Sequence, residues 1–151
     1  MRRMITIGLL AGVLATTGFA ANTVRADAAA DIKYRQTVMK TLGGHMGSIV
    51  QILKAGMPSS HLAGHTAAIK SISMMTPDLF PAGSGSGKTR TKPEIWSKPG
   101  DFKMAVASFQ KAAADIAEAG MSGDRAKVGA GMKALGGSCG GCHKPFRVKK
   151  D

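Results

Sequence analysis

Between residues 128 and 146 the chain sets Val128, Met132, Leu135, Cys139, Cys142 and Phe146 at alternating intervals of four and three. Such a seam lies along one face of an α-helix, because residues three and four apart return to the same side. It needs an apolar partner, and three further stretches show the same period. The first carries Ile32, Val38, Met39, Leu42, Met46, Ile49, Val50 and Leu53, with Gly56 as its stop. The second follows Pro58, with Ser59 or Ser60 as N-cap, and carries Leu62, Ile69, Ile72 and Met75 up to Pro77. The third begins after Pro99-Gly100 with Asp101 as cap; Phe102, Val106, Phe109, Ala113 and Ile116 line one face, and Gly120 stands near its end. The seam itself starts near Ser122 to Asp124. No strand alternation and no repeat competes with this pattern. The expected fold is all-α, an antiparallel four-helix bundle.

Residues 77–100 have a different composition: Pro81, Pro93, Pro99 and the run Gly83-Ser84-Gly85-Ser86-Gly87. They read as the long connection between helices two and three, with a mobile tip. Lys88-Thr89 after the glycines is no phosphate loop, since the upstream glycine is missing at the required offset. Gly43, Gly44, Gly47, Gly136 and Gly137 fall inside helices. Each costs about 1 kcal/mol against alanine in an exposed helix; they either admit a closely approaching surface or are incidental.

Arg2 and Arg3, an apolar run over 5–20 and a short polar stretch ending in Ala26 have the layout of a secretory signal. The cut is placed after Ala26, with Ala20 or Ala21 as alternatives, which makes 1–26 the signal and 27–151 the mature domain. The run is short for a membrane span, which takes about 20 apolar residues; an uncleaved anchor is the other reading, and no later segment could cross a membrane. Removing three arginines and no acids from 21 basic and 9 acidic side chains leaves a net charge near +9. Nucleic acid is not expected as a partner of an exported chain. An acidic redox partner protein or a membrane surface fits the charge better, and simple solubility would also account for it.

The chain has two cysteines, and they are three apart. A pair so close staples no loop. Ser138-Cys139-Gly140-Gly141-Cys142-His143 contains Cys-x-x-Cys-His, the haem c attachment signature. Thiols at i and i+3 reach two vinyl groups on one porphyrin edge, and the adjacent imidazole sits beneath the iron. Cys139, Cys142 and His143 are therefore the expected attachment and axial residues. A thioredoxin-type dithiol would stand at a helix start after a strand. A zinc site could combine both cysteines with His61 and His65, which are i, i+4, but it leaves His143 unused. For the sixth iron position a thioether is common. Met39, Met74, Met75 and Met104 all fall at the haem end of an up-down bundle, Met46 and Met132 further away, and this placement does not choose among the four. Methionines at helical spacing also serve simply as core filler.

Three segments carry a resemblance to class II cytochromes c, the cytochrome c′ family: Tyr34-Arg35-Gln36-Thr37-Val38-Met39-Lys40, Pro93-Glu94-Ile95-Trp96-Ser97, and Cys139-x-x-Cys142-His143-x-x-Phe146-Arg147 late in the chain. That family divides into a high-spin branch, with an apolar residue over a five-coordinate iron that binds NO and CO, and a low-spin branch, cytochrome c-556, with methionine there. Matched on Tyr34-Arg35-Gln36, the resemblance implies Met39 as the second axial ligand of a six-coordinate centre. It also implies a place for Arg35 near a haem propionate and for Arg147 beside the proximal histidine. Otherwise Arg35 is a solvated helix residue, and Arg147 a cation favoured by the helix C-terminus. Trp96 and Phe146 resemble pocket walls, although any bundle would bury them. Pro145 departs from the pattern: proline removes a helical bond to Gly141, and the regular helix is expected to end just after His143. The expected function is periplasmic electron transfer by a monomer or homodimer, not an enzyme. Gas binding is the alternative.

Overall fold

The computed structural model describes residues 27–149; the expected signal segment lies outside them. Four long helices run as α1 (Ala28–Ala55), α2 (Leu62–Met75), α4 (Pro99–Met121) and α5 (Arg125–Phe146), with a single-turn α3 (Glu94–Ser97) in the long connection. They form an antiparallel four-helix bundle, and no strand occurs among the described residues. No helix of these residues is long and apolar enough to cross a membrane.

Local chemistry sets most of the ends. Asp27 caps α1 by accepting from the Ala30 N–H at 2.7 Å, and Gly56 closes it with φ 68°, a left-handed conformation that glycine adopts without a Cβ penalty. Asp124 caps α5 by accepting from the N–H groups of Ala126 and Lys127. Two expected starts shift. Ser59 and Ser60 open a 3-10 turn, and α2 proper begins at Leu62 with no side-chain cap. Pro99 is itself inside α4, and Asp101 lies in its first turn. Proline suits the first turn because its missing N–H had no helical partner there.

The buried faces meet in one core containing Val38, Leu42, Ile49, Ile69, Phe109, Ile116, Val128 and Leu135. Helix α4 packs most extensively, against both α2 and α5, whereas α1 leans on α2 and barely touches α5. Two glycines permit the α4 contacts: a Cβ on Gly120 would fall 2.0 Å from Thr66 Oγ1, and one on Gly131 would fall 3.0 Å from Ile116. The glycines singled out in the sequence, Gly43, Gly44, Gly47, Gly136 and Gly137, face open space instead.

The 77–100 connection is not a loose tip. It folds back over the bundle end and is held there by a buried arginine. The Arg35 guanidinium donates to Leu79 O (3.0 Å), Ser84 Oγ (2.9 Å), Ser84 O (3.0 Å) and Thr89 Oγ1 (3.1 Å). It also lies 4.9 Å from the Phe80 ring centroid. Further along, Lys92 N donates to Phe146 O and Val148 N to Arg90 O, so the connection is tied to the end of α5.

Candidate cofactor site

Where α1 and α5 part, the bundle opens into a cleft of about 360 Å³, within the usual size range of ligand pockets. Arg35, Gln36, Met39 and Lys40 line it from α1, and Cys142, His143, Phe146 and Arg147 from the end of α5. Thr76, directly after α2, and Phe80, Thr89, Arg90, Thr91 and Ile95 of the connection close it. Helices α1 and α5, which touch only sparsely, face each other across this space.

Cys139, Cys142 and His143 occupy consecutive turns of α5, each half-buried. Burial pushes both thiols up; for Cys142 the neighbouring Cys139 adds to the rise and Arg147 opposes it. His143 is pushed down, by burial first and then by Arg147 and Arg90. A depressed histidine is neutral at pH 7, the form that donates a nitrogen lone pair to a metal. Pro145 does not end the helix: α5 runs through Phe146, and Arg147 N still donates to His143 O at 3.1 Å. The proline removes only its own bond to Gly141, whose carbonyl lies at the exposed side of the helix. Phe146 is thereby held in the cleft wall, joined edge-on through Phe102 to Phe80 with ring centroids 5.4 and 5.0 Å apart.

The four methionines separate in the folded chain. Met39 is partly buried, packs on the core and lines the cleft that holds His143. Met74, Met75 and Met104 are 61%, 39% and 66% exposed and stand outside it. Arg35 lines the cleft but is only 4% exposed, so the solvated reading of this residue is overturned. Trp96 is not a cleft wall. Its indole N–H donates to Phe80 O, and its ring packs under Gly85, while the neighbouring Ile95 takes the wall position. The zinc alternative finds no support: His65 pairs with His45 of α1, and no group of three or more histidine, cysteine or acidic side chains that could hold a metal lies among the described residues.

Phe80, Arg90, Thr91 and Ile95 were missed in the sequence because they belong to a segment read as linker. The prolines flanking it were the available signal, since they hold short extended pieces in place. The donor set suits haem c. Cys142 and His143 line the cleft and Cys139 stands one turn earlier on the same helix, Phe80, Ile95 and Phe146 offer apolar walls, and Lys40, Arg90 and Arg147 supply cations for carboxylates.

Comparison with known proteins agrees. The family model described as Cytochrome C′ matches residues 30–147. Cytochrome c′ of Rhodospirillum rubrum is 38% identical over 150 residues, covering 98% of this chain and 99% of the relative. Cytochrome c-556 of Agrobacterium tumefaciens strain B2A is 36% identical over 124 residues, covering 81% and 100%. Among solved structures, cytochrome c′ of Rubrivivax gelatinosus superposes with a TM-score of 0.75 at 29% identity, covering 81% of this chain and 98% of that one. A nitric oxide complex of a variant cytochrome c prime from Alcaligenes xylosoxidans gives 0.75 at 28%, covering 82% and 98%.

Proposed function

The chain belongs to the cytochrome c′ family, and on that premise we propose that it is a periplasmic electron-transfer cytochrome with a His143 and Met39 axial pair. The observation that carries this reading is the position of Met39: of the four methionines at this end of the bundle, it is the one that lines the cleft with His143. Haem c, when bound, supplies a one-electron iron couple. The residues of the chain do the rest. Cys139 and Cys142 would tether the porphyrin edge to α5. The neutral His143 and the Met39 thioether would fill both axial positions, and a thioether tends to raise the potential. Phe80, Ile95 and Phe146 exclude water. Arg90 and Arg147 stand where they offset carboxylate charge. Arg35 would lend a positive charge to a propionate while both its Nη groups stay committed to the connection.

Residues 1–26 direct export, and 27–151 form the mature domain. The basic surface steers an acidic redox partner, as in other electrostatically guided encounters. The family of electron-carrying and gas-binding haem proteins favours a carrier over an enzyme.

A second reading is gas binding at an open sixth position, favoured by relatives named cytochrome c′ and by the nitric oxide complex of one of them. Absorption spectra of the purified protein, oxidised and reduced, with and without CO, separate the two. A low-spin spectrum with a weak far-red thioether band and no CO response is expected. A high-spin spectrum with prompt CO binding would replace electron transfer by gas binding and return Met39 to the core.

A further inference from the structure

Three of the chain's four histidines stand away from the cleft. His45 of α1 and His65 of α2 face each other with Nδ1 atoms 3.0 Å apart, ring centroids 5.3 Å apart and planes inclined at 60°. Both rings are partly exposed, and His61 precedes His65 by four residues. We propose that His45 and His65 form a second metal site, a Cu²⁺ site bridging α1 and α2 through their Nδ1 atoms and independent of the haem.

The two Nδ1 atoms already converge to 3.0 Å across α1 and α2, so ring rotation can aim both lone pairs at one ion about 2.0–2.1 Å from each. Tetragonal nitrogen and oxygen coordination suits Cu²⁺, which also heads the affinity order for such ligands.

The metal-free contact shows how the ion enters. One neutral ring donates its Nδ1–H and the other accepts, so a proton occupies the space between two converging nitrogens. When Cu²⁺ binds to one side of the line between them, each ring turns about its Cβ–Cγ bond to aim its Nδ1 lone pair at the ion. The displaced proton returns through solvent to Nε2 of the ring it left. No net proton is lost, and no oxidation state changes. Two waters complete the plane, since the described residues offer no third protein ligand here.

The test is titration of the purified haem-loaded protein with Cu²⁺, by equilibrium dialysis and low-temperature electron paramagnetic resonance. One Cu²⁺ per chain is expected, with hyperfine splitting from two nitrogens. His45→Gln and His65→Gln should each abolish it, and His61→Gln should retain it, with the haem spectrum unchanged throughout. Copper bound undiminished in the His45→Gln/His65→Gln double variant would overturn the site. So would loss in His61→Gln with retention in His45→Gln, which moves the metal to the intrahelical pair. The nitrogen count of the unmodified protein decides the matter even if a variant fails to fold.

Discussion

Arg35 stands on the α1 face that otherwise buries Ile32, Val38, Leu42, Ile49 and Ile52, and a charge there survives because four acceptors surround it. Burial lowers its proton affinity and Asp31 partly restores it. Replacing Arg35 with alanine strands the carbonyls of Leu79 and Ser84, and should cost about 2–4 kcal/mol of stability in urea denaturation; a loss below about 1 kcal/mol would show that the connection holds without it. Met39 poses a different question, of ligation rather than packing. Met39→Ala is expected to turn the iron high-spin and admit CO, and an unchanged spectrum would remove Met39 from the ligand set. The sequence alone made Cys139, Cys142 and His143 legible, because three residues within five positions specify their own geometry. It could not show Arg35 as a clamp, since its acceptors lie 44–54 positions away.

Helix boundaries followed local signals where those signals were chemical. Gly56 and Asp124 end and begin helices by means that require only neighbouring residues, and Asp124→Ala should lower stability by about 1 kcal/mol in thermal melts. Close packing between elements was less legible. Nothing local distinguishes Gly120, which must lack a Cβ to admit Thr66, from Gly136, which meets nothing within 4 Å. Gly120→Ala should therefore destabilise by about 1–3 kcal/mol. Thr66→Ala should recover part of that loss in a double-mutant cycle, whereas Gly136→Ala should be neutral or stabilising. Additive effects of Gly120→Ala and Thr66→Ala would show that the two do not clash.

For the molecule as a whole, charge and pH act together. Because the folded chain holds protons on His65 less tightly than the ordinary value of 6.5, the unfolded chain takes up more protons in acid. This contribution is complete above about pH 6.5 and is lost as pH falls through the folded value. The Tm should fall between about pH 7.5 and 5.5, and should fall less in His65→Gln; parallel profiles would exclude His65 as the cause. On the proposed electron-transfer role, reaction with an anionic redox protein should be salt-sensitive, losing rate on the order of tenfold or more from low to high ionic strength in stopped-flow mixing. Four amphipathic helices, the Gly56 and Asp124 caps and the haem-binding motif could be read along the chain because each depends on residues within a turn or two of one another. Which methionine shares a cleft with His143, why Arg35 is buried, and how Phe80, Arg90 and Ile95 come to wall that cleft depend on residues far apart in the chain. Those contacts exist only once α1 and α5 part at one end and residues 77–100 fold back between them.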